Sequence, residues 1–270
     1  MNQKLEQLKQ NLKKQNCLAV AFSGGVDSAF LLKTAFDVLG SNVLAVTVQS
    51  SIFPMRETEE TKEFCRQYGI PQIVCQVDEL SIPGFAQNPA NRCYLCKCRM
   101  MQVITDTAKK QGIFDVAEGS NIDDQADYRP GHLAVEEFGV LSPLREAGLT
   151  KAEIRELSRQ MGLPVWDKQS FACLASRFVY GEEITREKLE MIDQAEQLLL
   201  DLGFSQVRVR MHGQMARIEI LPQQFERLLQ ESVRRCITEK FREYGFCYVT
   251  MDLLGYRTGS MNQEILTGGN

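Results

Sequence analysis

Residues 17–28 read CLAVAFSGGVDS, an apolar run of strand length that ends abruptly in a serine- and glycine-rich turn and then passes into a helical pattern. A buried strand that feeds a glycine turn at the start of a helix is the repeating unit of open α/β sheets. The alternation continues downstream: helix 27–39, strand 42–48, helix 57–68, strand 72–77, helix 93–110 and strand 113–119. Upstream, MNQKLEQLKQNLKKQN has the charge and spacing of an amphipathic helix. Strands this uniformly apolar, separated by helices, predict a doubly wound parallel sheet with its ligands at the carboxyl ends of the strands. KAEIRELSRQMG adds a helix closed by Gly162 and Pro164, and residues 165–180 carry little periodicity. From Thr185 the pattern becomes helix 185–202, strands QVRVRM and ARIEI joined through HGQM, helix 222–244 and a last strand FCYVTMDLL. That predicts a smaller C-terminal α+β domain with hairpin connectivity, and a division into 1–178 and 179–270.

The turn itself suggests phosphate. Gly24 and Gly25 permit positive φ and close approach of a ligand, while backbone N–H groups and the helix dipole favour an anion. The hydroxyls of Ser23 and Ser28 can donate to phosphate oxygens. Asp27 suits a Mg²⁺ ion bridging phosphates rather than the phosphate itself. No GxxxxGK[ST] is present, so the lysine of the ordinary ATPase loop is missing. A competing reading makes the hexapeptide a plain helix start, with Ser23 or Asp27 as the cap. In its position after the first strand, SGGVDS resembles the pyrophosphate loop of the PP-loop ATP pyrophosphatase superfamily. That resemblance implies adenylation of a substrate oxygen with release of pyrophosphate. TVQS at 47–50 ends the second strand at the same sheet edge, which places Thr47 near the adenine.

Composition narrows the partners. The 270 residues are 44% hydrophobic and 24% charged, as in ordinary globular proteins, and no apolar run approaches the ~18 residues that span a bilayer. A cytoplasmic location is expected. A formal net charge of −4 and a pI near 5.5 speak against a broad nucleic-acid surface, and a small anion in a local basic pocket fits better. Nine cysteines, an odd number in a chain with no export signal, make thiol or metal chemistry a better expectation than a disulfide framework. Only two histidines, His132 and His212, are available for His-based zinc sites. Cys93 and Cys96 share a face at the start of the 93–110 helix. Cys173 lies 77 residues further on in SFACLASRF, in the aperiodic stretch. Such a CxxC pair also occurs as a redox dithiol or as half of a structural zinc site. Three thiolates would leave one corner of a [4Fe-4S] cluster open, where sulfide could bind as a transferable ligand.

The segments SGGVDS, RCYLCK, EGSNIDDQADYRPG, SPLREAGLTKAEIR, ACLASRF, VRVRMHGQMARIEI and LLGYRTGS together resemble the LarE family, over nearly the whole chain. This family comprises the ATP-dependent sulfur transferases of nickel-pincer cofactor biosynthesis. The resemblance implies adenylation of the carboxylates of pyridinium-3,5-biscarboxylic acid mononucleotide and their conversion to thiocarboxylates. Family members with only the cysteine of ACLASR sacrifice its sulfur, and members with an added CxxC are cluster-bearing, so Cys93, Cys96 and Cys173 are implied as ligands of a [4Fe-4S] cluster. Cys98 departs from that pattern. Arg208 and Arg210 alternate on one strand and project from one face, which suits a phosphate; the resemblance implies the substrate monophosphate or released phosphate there, with Glu196 and Glu219 as accessory metal ligands. The glutamates could equally form exposed ion pairs. Arg129, in the same motif as Asp127, is expected to contact AMP or the substrate, and Arg177 to hold the sulfur loop. A tRNA thiolase is the alternative, but residues 179–270 carry eleven Lys and Arg against fourteen Asp and Glu, a poor tRNA-docking balance. The family also implies a homo-oligomer.

Overall fold

A computed structural model describes residues 1–126, 131–169, 173–257 and 261. The chain forms two compact units, Met1–Glu79 with Cys93–Phe171, and Leu80–Arg92 with Ala172–Asn270. The expected boundary at 178 therefore falls inside the second unit, which also takes a segment from the first half of the sequence. Hydrogen bonds explain that assignment. Ala86 O accepts from Ile184 N at 2.8 Å, Asn88 O accepts from Gly181 N at 3.0 Å, and Asn88 Nδ2 donates to Val179 O at 2.6 Å. Arg92 lies over the Tyr180 ring, 4.6 Å from its centroid.

The first unit runs α1 (Asn2–Leu12), β1 (Leu18–Ala21), α2 (Val26–Leu39), β2 (Val43–Gln49), α3 (Met55–Tyr68), β3 (Gln72–Gln76), α4 (Arg92–Lys110), β4 (Val116–Ala117), α5 (Gly131–Glu137), α6 (Pro143–Glu146) and α7 (Lys151–Gln160). Its four strands are all parallel, in the order β3-β2-β1-β4. Side chains alternate across the sheet as the pleat requires. Leu18, Val20, Val43 and Ala45 pack with Leu8, Ala29, Phe64, Ile154 and Leu157 of α1, α2, α3 and α7. Ala19, Leu44 and Val46 pack on the other face with Met101, Ile104 and Ala108 of α4 and Val135 of α5. Both faces are covered, which is why these strands read as unbroken apolar runs. The strand expected over 113–119 pairs only at Val116 and Ala117. Phe114 before it points into solvent, and Glu118 after it turns inward to accept from the hydroxyls of Ser120 and Ser142.

The second unit contains α8 (Arg186–Asp201), β5 (Arg208–His212), β6 (Met215–Glu219), α9 (Phe225–Leu229), α10 (Glu231–Glu243) and β7 (Tyr248–Met251). Hairpin connectivity holds for β5 and β6, which are antiparallel, but β7 pairs parallel to β6 after the α9–α10 crossover. The helix expected over 222–244 is interrupted at Gln230, which is extended at φ −57°, ψ 137°. At 100° per residue, a continuous helix would set Leu228 and Ile237 on opposite sides, about 180° apart. The break lets both bury. No described helix is long and apolar enough to cross a membrane.

One polar clasp fixes the helix that will matter at the site. Thr150 and Glu153 form a reciprocal capping box at the start of α7, and Lys4 of α1 donates to both Glu153 oxygens at 2.7 and 2.8 Å. Lys4 and the Thr150 backbone N–H hold the Glu153 carboxyl down at about 2. A depressed carboxyl stabilises the fold above its unfolded value near 4.5 and loses that contribution as pH falls toward 2. Glu153→Gln should therefore cost about 1 kcal/mol at pH 7, and denaturant titrations at pH 7 and pH 2.5 should show the difference shrinking in acid.

Candidate active site

The turn after β1 is built to leave its amides free. Gly24 adopts φ +76°, and a Cβ there would lie 2.9 Å from Thr61 Cγ2. Gly25 stands at the helix N-cap, and no side chain caps α2. The competing view of Ser23 or Asp27 as helix caps is thus overturned. Ser28 instead donates to Gly25 O at 3.0 Å and meets the Ser23 hydroxyl at 3.1 Å. Thr47 is buried, donating to Phe22 O at 2.9 Å and accepting from Gln72 Nε2 at 2.8 Å, so it braces the end of β1 from beneath. Gly119, at the end of β4, completes the cradle. A Cβ there would approach Ser28 N to 2.9 Å and the Asp27 carbonyl carbon to 3.2 Å.

Two lysines absent from the sequence expectations reach this turn. Lys151, the first residue of α7, forms a short ion pair with Asp27 Oδ2. Lys168 Nζ donates to Gly24 O at 3.3 Å and pairs with Glu57 at 2.7 Å and Glu60 at 2.5 Å. Their sequence signal is only a lysine in KAEIR and another in WDKQ, each more than a hundred residues from its partner. Burial lifts the Asp27 carboxyl above its ordinary range, Lys151 works against that rise, and the charge of Asp124 adds to it. Among the described residues Asp27 Oδ1 is buried with no direct hydrogen bond, although the Asn121 side chain is close enough to help hold the carboxyl down. A buried, unbonded carboxylate oxygen with a second acid in electrostatic range fits a Mg²⁺ ion.

Cys93 is exposed and Cys96 buried near the start of α4; neither is in a disulfide, and Cys96 Sγ lies 3.5 Å from Met100 Sδ. Cys98 neighbours Tyr94, whose hydroxyl donates to Glu137 at 2.8 Å and is pushed up to about 12, first by Glu137 and then by Cys98. Burial alone lifts the Cys65 thiol to about 12, as expected of an inert core cysteine. Among the described residues no three His, Cys, Asp or Glu side chains gather as a metal-binding group. The first unit thus offers two thiols for a cluster, and its third expected ligand belongs to the second. Arg129, with Asp127, lies outside the described residues.

In the second unit Cys173 precedes the 3₁₀ turn Leu174–Arg177, and its carbonyl accepts from Ser176 N at 3.0 Å and Arg177 Nη1 at 3.3 Å. Arg177, fully buried, makes a bidentate pair with Glu196 at 2.8 and 2.9 Å and donates to Ser176 Oγ at 2.8 Å. Arg210 donates to Ser176 O at 3.0 Å and to Glu219 at 2.9 Å. Arg208 donates to Val207 O at 2.7 Å and lies over Tyr256. Burial would neutralise Glu196, but Arg177 and Arg208 overcome it and hold the carboxyl below its usual value. Burial and then the charge of Arg177 lower Arg208. Glu196 also accepts from Val209 N, and Glu219 from Arg217 at 3.2 Å, so both carboxylates are occupied by arginines. Three buried arginines against two buried glutamates leave an excess of positive charge beside the Cys173 turn.

Comparisons with known proteins agree with this geometry. PP-loop domains match residues 1–128. An uncharacterized protein of Synechocystis sp. is 41% identical over 265 residues, covering 98% of this chain and 99% of its own. The pyridinium-3,5-bisthiocarboxylic acid mononucleotide synthase of Lactiplantibacillus plantarum is 36% identical over 255 residues, 94% of this chain and 92% of its own. The chain belongs to the LarE family. More distantly, one component of the glutamine-hydrolyzing GMP synthase of Thermoplasma volcanium is 26% identical over 190 residues, 64% of this chain and 60% of its own. LarE proteins are ATP-dependent sulfur-inserting enzymes of the PP-loop superfamily, and the uncapped turn between β1 and α2 lies within the matched PP-loop domain.

One substitution tests the loop of the first unit, and another tests the buried ion pairs of the second. Gly119→Ala adds one methyl against backbone atoms of the loop and should weaken ATP binding about tenfold or more, equivalent to about 1.4 kcal/mol, by calorimetry, with the far-UV spectrum unchanged. Arg177→Met strands a buried carboxylate and should cost about 3–5 kcal/mol in denaturant unfolding, and the double change with Glu196→Met should restore much of it.

Proposed function

We propose that this LarE protein activates a carboxylate of pyridinium-3,5-biscarboxylic acid mononucleotide with ATP and exchanges its oxygen for sulfur. The carrying observation is the uncapped, glycine-lined start of α2, with a buried acid beside it, in a chain that aligns along its length with a synthase of the bisthiocarboxylic product. In the first half-reaction a substrate carboxylate oxygen attacks the α-phosphorus, and the bond to the β-phosphate oxygen breaks. Pyrophosphate departs and an acyl-adenylate remains. The free amides of the loop and the hydroxyls of Ser23 and Ser28 bind the charge that grows on the leaving group. Asp27, with Asp124 near, would hold a Mg²⁺ ion, which would supply charge neutralisation for the same phosphates. In the second unit Arg208 and Arg210 hold the monophosphate of the substrate, and Arg177 fixes the turn that presents Cys173.

Sulfur delivery through Cys93, Cys96 and Cys173 as ligands of a [4Fe-4S] cluster is the finer part of this proposal. Three thiolates leave one iron free to carry sulfide. A second reading uses Cys173 alone, which the second unit holds without Cys93 or Cys96. In it the Cys173 thiolate attacks the acyl carbon, AMP leaves, and a base takes the Cα proton. The Cβ–S bond then breaks, giving the thiocarboxylate and dehydroalanine at 173. Ser176 and Arg177 hold the backbone of that turn in either case.

The experiment is anaerobic turnover with the pyridinium substrate, Mg²⁺-ATP and sulfide, followed by mass spectrometry of product and protein. Cys173→Ala should keep pyrophosphate release and lose thiocarboxylate. On the cluster reading Cys93→Ala loses iron and repeated turnover. On the sacrificial reading Cys93→Ala behaves as wild type, and Cys173 loses the mass of one H₂S per product. Thiolation of tRNA instead of the pyridinium substrate would overturn the proposal.

A further inference from the structure

Arg177 and Arg210 of the second unit are buried against glutamates, at 2.8 and 2.9 Å. Arg92 is buried too, at 4% exposure, yet among the described residues no carboxylate lies within ion-pair distance of it. Its guanidinium has two partners: Nη1 donates to Asn88 Oδ1 in a short bond, and one face lies over the Tyr180 ring, 4.6 Å from the centroid. Nε is buried with no acceptor. Arg92 is also the first residue of α4, where the helix dipole disfavours a cation. A buried charge ordinarily carries a counter-charge, so this place in the fold is short of one negative group.

The surroundings fix how the guanidinium is presented. Asn88 is fully buried and adopts φ +54°, in the left-handed region. Its Nδ2 donates to Val179 O at 2.6 Å and its carbonyl accepts from Gly181 N at 3.0 Å, so the residue that receives Arg92 is tied on both sides of Tyr180. A non-glycine residue held in that region marks a conformation that the neighbouring structure enforces. With Nη1 taken by Asn88 and one face covered by Tyr180, the edge left for a ligand is formed by Nε–H and one N–H of Nη2. Those two groups are parallel and coplanar, and they match the two oxygens of a carboxylate.

The class of ligand follows from the charges of the reaction proposed above. The pyridinium mononucleotide brings a monophosphate, the carboxylate that is adenylated and the second carboxylate across the ring. Arg208 and Arg210 serve the monophosphate, and the adenylated carboxylate loses its charge. The second carboxylate keeps its charge throughout and has no cation assigned to it. Arg92 belongs to the same unit as Arg208, Arg210 and the Cys173 turn, and at most about 14 Å of extended chain separates Ser176, which Arg210 holds, from Tyr180. We infer that Arg92 binds the ring carboxylate that is not being activated, through its Nε and Nη2 edge, and that Asn88 positions it. This rests on the proposed activation and names the residue that makes the site prefer a dicarboxylate. No bond to Arg92 forms and no proton moves.

One arm of the test needs no turnover. Isotopically labelled arginine gives a magnetic resonance signal for each side-chain Nε–H, and that of Arg92 is the one missing from Arg92→Lys. Titration with pyridine-3,5-dicarboxylate should move this signal, and the neutral pyridine-3,5-dicarboxamide should leave it in place. The other arm follows pyrophosphate release with the 3,5-biscarboxylate mononucleotide and with the 3-monocarboxylate. Arg92→Lys keeps a charge over Tyr180 and a donor for Asn88 but loses the paired edge. Its KM for the biscarboxylate should rise at least about tenfold, with kcat changed much less and the monocarboxylate reaction unaltered. A second variant that keeps Arg92, Asn88→Asp, gives the guanidinium an internal carboxylate and should weaken the biscarboxylate in the same selective way. An equal loss on both substrates, or no loss on either, would overturn the assignment, as would an Arg92 signal that stays fixed or moves only with inorganic phosphate. Wild-type protein that releases no pyrophosphate with either mononucleotide counts against the proposed activation, and the Arg92 signal then decides this residue by itself.

Discussion

The first amides of α2 are the constraint around which the first unit is arranged. A helix start with no side-chain cap leaves backbone donors unsatisfied, which costs stability unless water or a ligand takes them. Here the neighbouring side chains are directed elsewhere. Ser28 bonds back to Gly25 O, Asp27 is drawn aside by Lys151, and Thr47 is bonded under the strand. Gly24 and Gly119 remove the two Cβ atoms that would crowd the cradle, one from Thr61 and one from the loop backbone itself. Donors fixed in advance need no reorganisation as charge develops on a leaving group, and that is the property a pyrophosphate-releasing enzyme requires.

The second unit solves an analogous problem with side chains. Arg177, Arg208 and Arg210 could not be buried as bare charges, because the loss of hydration would exceed any contact they make. Glu196 pairs with Arg177, and Glu219 with Arg210. The same arginines donate to Cys173 O and Ser176 O. Charge and sulfur position are thus set by one network. A substitution that loosens the ion pairs also loosens the turn that carries the thiol.

The sequence revealed features governed by local periodicity and missed those governed by distant contacts. Cys17–Phe22 running into SGGVDS announced the sheet and its ligand edge because a buried parallel strand leaves an unbroken apolar run. The i, i+2 arginines on β5 were legible through the two-residue pleat. By contrast, residues 80–92 join the second unit through hydrogen bonds to the backbone of Val179, Gly181 and Ile184, one of them from the Asn88 side chain, and nothing in their composition marks that destination. The break at Gln230 follows from two apolar registers half a turn out of phase, visible only once both must face the same core. Lys151 and Lys168 look like surface lysines of a charged helix and a loop, and their significance arises from partners 124 and 144 residues away.

Net charge and local charge act on different scales in this protein. At −4 overall, its long-range field repels extended polyanions, whose binding depends on many simultaneous cation contacts. Beyond about 8 Å at physiological salt that field is screened, and a small nucleotide inside a pocket responds to the groups around it. Lys151 and the free amides at one site, and the arginine excess at the other, supply local positive charge without a basic surface. Burial strengthens each of these contacts by excluding water, and the paired carboxylates keep the cations ionised while no anion is bound. The proposed preference for a small phosphorylated ligand rests on where the cations are placed, not on how many the chain contains.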